Sequence, residues 1–247
     1  MRALERGPPG GMSTAEIADA TGFDRATTHR AIVSLERIGF IDRDPRSRTV
    51  RLGVYMFSLG AKIARRFSVL EHAREAVAKL ADQTGDTVFL AVRNKFDSVC
   101  IDRRSGNYPF KAQTLNVGDS LPLGVSTGGL AILAAMSDED VRHVVQYNAV
   151  SINEFHRVKP HDIYKHVQET RRRGYAVYFG QIVSGMGAVG YAIKDARGRP
   201  LAAISVSAVL DRLTDDRIKS IAQLIFKAVV EIEQRATLVS PDELGDC

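Results

Sequence analysis

Apolar residues recur along the chain at two periods, one helical and one of strand type. From residue 13 the spacing is helical. Ser13 and Thr14 stand where an N-cap is needed, and Glu16 follows Ser13 at capping-box distance. Ile17, Ala18 and Ala20 come next, and Gly22 supplies a stop. Asp24 can cap a second helix whose apolar positions Ala31, Ile32, Leu35 and Ile38 hold helical spacing up to Gly39. Phe40-Ile41, a polar turn over 42–47 containing Pro45, and Thr49-Val50-Arg51-Leu52 predict a short β-hairpin. Upstream, Pro8-Pro9-Gly10-Gly11 breaks any helix and isolates a six-residue stub.

A helix is predicted over 54–67 with Met56, Leu59 and Ile63 inward, and another over 69–83. Strands are predicted at 87–93 and 98–104 around the polar turn 94–97, with a third at about 110–116 after Gly106-Asn107. Helices follow at 127–136, 138–147 and 161–173. A second strand group covers 175–179, 187–194 and 200–209, its last two members joined by Asp195-Ala196-Arg197-Gly198, and a long amphipathic helix spans 214–236. Hairpin-linked strands interleaved with helices predict an α+β fold whose sheet is mostly antiparallel and flanked by helices. The expected organisation is a small domain at 1–53, a linker helix at 54–67 and a larger domain at 68–240.

Composition narrows the function. The chain has 247 residues, 45% of them apolar and 26% charged, close to globular averages. No apolar run reaches the roughly 18 residues that span a bilayer, and no charged-then-apolar leader opens the chain, so no membrane partner is expected. Two cysteines, Cys100 and Cys247, make neither a disulfide framework nor a four-ligand zinc site, which fits a reducing cytoplasm and no metal cofactor. The net charge of +5 lies wholly in residues 1–66, which hold 12 Lys/Arg against 7 Asp/Glu; the remainder holds 22 of each. Such a segment concentrates a polyanion.

Two short helices, a tight turn and a basic hairpin are the parts of a winged helix-turn-helix. Arg25, Thr27, Thr28, His29 and Arg30 lie near the start of the second helix, the part that enters the major groove in that architecture. Arginine pairs with guanine edges, and threonine touches phosphate or the thymine methyl. Arg43, Arg46, Arg48 and Arg51 on the hairpin suit phosphate contact, with Arg46 and Arg48 nearest its tip. Double-stranded operator DNA is the expected partner.

Residues 13–53, ending in Arg51-Leu52-Gly53, resemble the DNA-binding domain of the IclR family of transcriptional regulators. Residues 174–207 resemble the family's C-terminal signature at Gly174, Ala188, Val189, Gly190, Ile193 and Asp195, whereas Tyr178, Gln181 and Lys194 depart from it, Gln181 standing where Glu is usual. The resemblance implies a GAF-like effector-binding domain, a homodimer or tetramer, and a repressor more often than an activator. It places the effector against Ser126, Thr127, Gly128, Tyr178, Phe179, Ala188, Ser205 and Ser207. Ser205 and Ser207, two apart on a strand, share a face and can hold a carboxylate, although half-exposed strand serines have the same spacing. Aromatic Tyr178-Phe179 points to a carboxylate or aromatic acid as effector. Family members usually carry a full helix before the helix-turn-helix, so the stub at 1–6 suggests a truncated first helix and a loosely folded 1–53.

Rival readings rest on short motifs. Gly124-Val125-Ser126-Thr127-Gly128 matches the nucleophile elbow of serine hydrolases, but Pro122 belongs poorly in the buried strand an elbow needs, and no histidine follows His166. Gly185-x-Gly187-x-x-Gly190 matches a dinucleotide fingerprint but runs into a strand rather than a helix. His156, His161 and His166 recur every five residues, which is no same-face helical spacing for a metal. A ligand-sensing module that has lost DNA binding is the other alternative.

Overall fold

A computed structural model of the chain describes residues 1–65, 68–112, 114–155 and 157–238. His156 and Cys247 lie outside the described residues. The chain divides into two compact units, Met1–Phe67 and Ser68–Cys247.

The first unit contains helices α1 (Arg2–Arg6), α2 (Thr14–Thr21) and α3 (Arg25–Arg37), strands β1 (Ile41–Arg43) and β2 (Val50–Leu52), and helix α4 (Tyr55–Arg65). The capping box forms: the Glu16 amide donates to Ser13 Oγ and the Ser13 amide to Glu16 Oε2. Gly22 closes α2 at φ 72°, a left-handed conformation open to glycine. Asp24 caps α3 by accepting the Thr27 amide at 2.9 Å. The core is a cluster of Ile17, Ile32, Ile41 and Val50, with Leu4, Met12 and Leu35 packed against it. Residues 2–6 are helical, and Leu4 with Met12 supplies part of the apolar cover of this cluster.

The inward stripe of α3 differs from the predicted one. Ala31 is exposed and Thr28 is buried, so the face toward the core is Thr28, Ile32 and Leu35, the i, i+4, i+7 row of a helix. On α4, Met56 and Leu59 are half-buried as expected.

The second unit contains α5 (Ser68–Thr84), β3 (Thr87–Asn94), β4 (Asp97–Ser105), β5 (Ser120–Pro122), α6 (Thr127–Ala134), α7 (Asp138–Asn153), α8 (Pro160–Arg173), β6 (Ala176–Phe179), β7 (Met186–Lys194), β8 (Pro200–Val209) and α9 (Asp215–Leu238). Six strands form one sheet in the order β5-β4-β3-β8-β7-β6, each neighbouring pair antiparallel. Consecutive residues Ala202 to Ala208 of β8 are all buried, so both faces of the sheet are covered. Helices α5 and α9 pack on each other and on the sheet, and α6 packs on β3, β7 and β8. Every residue of α6 is buried, as an all-round apolar helix requires.

Two differences from expectation have local causes. No strand forms at 110–116 among the described residues; β4 pairs instead with β5. Pro109 lacks a ladder donor, and side chains take over the satisfaction of this segment: Ala112 donates its amide to Thr87 Oγ1 at 3.2 Å, and Arg103 Nη1 donates to the Leu115 carbonyl at 2.9 Å. Helix α7 runs six residues past the predicted end, because Asn148 continues the buried stripe Val141, Val144, Val145 to Ile152 while its amide donates to the Phe96 carbonyl. Arg171 donates to the carbonyls of Ala134 and Met136 and pairs with Asp138, tying the end of α8 to the end of α6 and the start of α7.

Candidate nucleic-acid interface and ligand pocket

The N-terminal turn of α3 is braced by its own side chains. Thr27 Oγ1 donates to Asp24 Oδ2 at 2.7 Å, and Arg30 Nη2 donates to Thr27 Oγ1 at 3.0 Å. The Thr27 hydroxyl and amide hold the Asp24 carboxyl below its ordinary range. Arg25, His29 and Arg30 are exposed around this brace, and Thr27 is half-buried. Thr28 leaves the predicted contact set: it is 2% exposed, and its Oγ1 faces the core without a partner.

On the hairpin, Asp44 accepts the amides of Arg46 and Ser47 and tightens the turn. Arg43 lies 3.6 Å from Glu36 and Arg51 lies 3.3 Å from Asp44, so two of the four arginines are partly neutralised. Arg46 and Arg48 are exposed and make no ion pair among the described residues. Exposed cations thus stand at two places, the start of α3 and the hairpin tip, which are the positions for base-edge and phosphate contact in a winged helix-turn-helix.

In the second unit, Ser126, Thr127, Tyr178, Ala188, Ser205 and Ser207 line a single cavity of about 50 Å3. Two predicted residues do not. Phe179 follows Tyr178 on β6, and alternation turns it outward, 52% exposed. Gly128 packs on the sheet instead: a Cβ there would lie 3.7 Å from those of Ala91 and Ala203. Residues not foreseen from sequence complete the walls: Phe89 from β3, Leu115 from the 106–119 segment, and Gln181, Ile182, Val183 and Met186 before and at the start of β7. Phe89 is the register partner of Ser205, a pairing that period alone does not specify.

The polar groups of this cavity fall into two classes. Ser126 caps α6 by accepting the Gly129 amide at 3.0 Å, Ser207 donates to the Gly187 carbonyl at 3.1 Å, and Tyr178 donates to the Gly124 carbonyl at 2.8 Å. Burial pushes the Tyr178 phenol well above its ordinary range, so this hydroxyl keeps its proton. Thr127 and Ser205, both buried, have hydroxyls that make no hydrogen bond among the described residues. Gln181 Oε1 is buried and also unpartnered. No lining residue carries a charge. The amides of Thr127 and Gly128 open α6 and have no intrahelical acceptor, so the positive end of that helix is the electrostatic feature of the site. Gly190 permits this approach: a Cβ there would come within 3.3 Å of both Ser205 Cβ and Thr127 Cγ2.

The motifs of the rival readings are absorbed by structure. Ser126 is a helix cap behind an edge strand, and residues 186–190 of the glycine fingerprint enter β7. His161 Nε2 lies 3.3 Å from Asp162 and His166 Nδ1 lies 3.7 Å from Glu169.

Comparison with known proteins gives two family matches. The IclR helix-turn-helix domain matches residues 1–45, and the bacterial transcriptional regulator IclR C-terminal domain matches residues 61–234. The chain is 26% identical over 226 residues to the transcriptional repressor IclR of Escherichia coli, covering 90% of this chain and 82% of that one. Its fold is similar to that of an IclR transcriptional regulator from Alicyclobacillus acidocaldarius (TM-score 0.80, 23% identity, 95% and 94% of the chains). It is also similar to that of an IclR homolog from Microbacterium hydrocarbonoxydans complexed with 4-hydroxybenzoate (TM-score 0.72, 19% identity, 92% of each chain).

Proposed function

Because the chain belongs to the IclR family of bacterial transcriptional regulators, we propose that it is an operator-binding repressor whose hold on DNA is altered by a small carboxylate in the cavity of the second unit. Its family is one of regulators rather than enzymes. The observation that carries the DNA-binding reading is the exposure of Arg25, His29 and Arg30 at the start of α3, with Arg46 and Arg48 exposed on the hairpin and without an ion pair among the described residues. Repression is the role named for the Escherichia coli relative.

A homo-oligomer fits the surface of the first unit. Val54 and Phe57 are 77% and 78% exposed, and Ile38, Leu52 and Tyr55 are exposed as well. A second copy covering this apolar face gives the two-fold arrangement with which helix-turn-helix proteins read two half-sites.

The effector reading rests on the cavity. Unpartnered hydroxyls of Thr127 and Ser205 and the start of α6 suit a carboxylate. The 4-hydroxybenzoate held by the Microbacterium protein is also a carboxylate.

The test is selection of duplexes from a random pool, followed by anisotropy titrations across salt. Arg25→Ala and Arg30→Ala should each cost about 1–3 kcal/mol on the selected duplex and relax base preference at one position. Arg46→Ala and Arg48→Ala should weaken all duplexes alike, each lowering the salt slope by about 1. Equal losses on selected and random DNA for Arg25 and Arg30 would overturn the base-reading assignment.

A further inference from the structure

The outward face of α3 carries a pattern that core packing does not explain. Thr28, Ile32 and Leu35 point inward, so the row directly opposite is Ala26, Arg30, Val33 and Arg37, and all four are exposed. Val33 is the one large apolar side chain exposed on α3. Neither helix propensity nor the core accounts for it. A β-branched side chain is a poorer helix former than alanine, and Val33 lies outside the cluster of Ile17, Ile32, Ile41 and Val50. The hairpin flanks this face without covering it: Arg43 reaches α3 at Glu36, beside the row, at 3.6 Å. Arg30 is braced on the same row, one guanidinium donor bonding Thr27 Oγ1 at 3.0 Å and leaving others for a bidentate pairing.

We infer that Val33 is a specificity-determining residue of the DNA interface: its isopropyl group packs on the methyl group of a thymine in the major groove, close to a guanine paired by Arg30. This rests on the reading of α3 as the helix that enters the major groove. Charge selects the occupant of this face. Arg30 and Arg37 stand on either side of Val33 along the row, and residues 1–66 hold the whole net charge of +5, so a polyanion fits where an apolar protein surface would strand two guanidinium groups. Among the base edges of the major groove, the C5 methyl of thymine is the apolar group, and aliphatic side chains are its partners. Cytosine presents an amino donor there, which an isopropyl group leaves unmatched. Arg30 and Val33 are about 4.5 Å apart along the helix axis, against about 3.4 Å per base step, which puts the thymine about one or two base pairs from the guanine.

Uracil is thymine without the methyl group, so it tests this contact alone. Duplexes selected by the full chain from a random pool are remade with one thymine at a time replaced by uracil, and affinities are read by fluorescence anisotropy. One such replacement, about one or two base pairs from the guanine whose preference Arg30→Ala removes, should weaken wild-type binding about fourfold. Val33→Ala should bind the thymine duplex about fourfold more weakly and the uracil duplex as the wild type does, so its thymine-to-uracil ratio falls to about one. Alanine is the better helix former at this exposed position, and the melting curve of the variant should match or exceed that of the wild type. A selected site with no thymine near that guanine, a wild type indifferent to uracil there, a ratio that survives in Val33→Ala, or a loss in Val33→Ala shared equally by both duplexes each overturns the assignment. Arg30→Ala separates this from the underlying reading: it should lose the guanine preference and keep the thymine-to-uracil ratio. Wild-type binding that is equal on selected and random duplexes sinks the base-reading role of α3 itself.

Discussion

The two units distribute polar and apolar groups in opposite ways. In the first, four buried side chains (Ile17, Ile32, Ile41 and Val50) form the core, and the groups proposed to act are charges on the outside. In the second, a far larger core backs a neutral cavity, and the groups proposed to act are the buried hydroxyls of Thr127 and Ser205. The partners explain the difference. A polyanion is drawn over a Debye length by net charge, and its phosphates lie on an outer surface. A small acid is recognised by direction, which hydrogen bonds supply best where water is excluded. Among the described residues, the most buried ion-paired acid of each unit differs as well. Arg43–Glu36 and Arg51–Asp44 lie on the surface of the first unit, whereas Asp86, 2% exposed, receives Arg212 at 3.1 Å and Arg217 at 2.6 Å inside the second.

The sharpest way to break this comparison is to remove one acid from each kind of pair. Asp86→Ala takes the shared acid from two half-buried guanidinium groups and should destabilise the second unit by about 3–5 kcal/mol. Glu36→Ala removes a solvated partner and should cost less than about 1 kcal/mol. Chemical denaturation followed by signals from each unit measures both. A cost for Asp86→Ala as small as that for Glu36→Ala would mean that Arg212 and Arg217 find water when the acid is gone, and the buried-pair argument would fail.

A somewhat smaller effect separates the cores. Ile32→Ala deletes a large share of a four-residue cluster, at about 2–5 kcal/mol. A small domain has little more stability than this to lose. The first unit should therefore melt and DNA binding vanish, while the second unit keeps its melting transition and its ligand response. Hydrogen exchange on α3 and β8 reads both. Loss of protection in β8 together with α3 would show that the two units do not fold independently.

Most elements of both units were legible because each carries an unambiguous period or a cap. Strands β7 and β8 alternate around a polar turn, and α2 and α3 are announced by Ser13, Glu16, Gly22 and Asp24. Failures came where side chains, rather than ladders, satisfy the backbone. The 106–119 segment has strand-like residues but is held by Thr87 and Arg103. Thr28 and Asn148 occupy buried stripe positions that their polarity disguises. Six of the sixteen residues that line the cavity were foreseen, Ser205 and Ser207 from their parity on one strand and the other four from the family resemblance. The rest were not: Phe89 depends on register across β3 and β8, and Gln181 on the path of a turn. The partners of Asp86 stand 126 and 131 residues away, beyond any local pattern.

The smallest effect concerns the caps, and it too divides the units. Helices α2 and α3 are capped through titratable groups, whereas α6 is capped by Ser126, which does not titrate. Thr27 holds the Asp24 carboxyl below its ordinary range, mainly by its hydroxyl and then by its amide; the Ser13 amide and hydroxyl do the same for Glu16. A carboxyl whose folded value is depressed stabilises the fold above its unfolded value, about 3.9 for Asp and 4.3 for Glu, and loses that contribution as pH falls through the folded value. Protection of the α3 amides should thus be flat above about pH 5 and decline below about pH 4, while the Gly129 amide, held by Ser126, stays protected over the same interval. Asn caps helices as well as Asp does but carries no proton to gain. Asp24→Asn should therefore leave α3 unchanged at neutral pH and remove its share of the acid sensitivity, as read by amide exchange in NMR spectra recorded at successive pH values. If α3 in Asp24→Asn frays in acid as the wild type does, the sensitivity belongs to Glu16 or to charge repulsion across the basic unit, and the Asp24 cap is not its source.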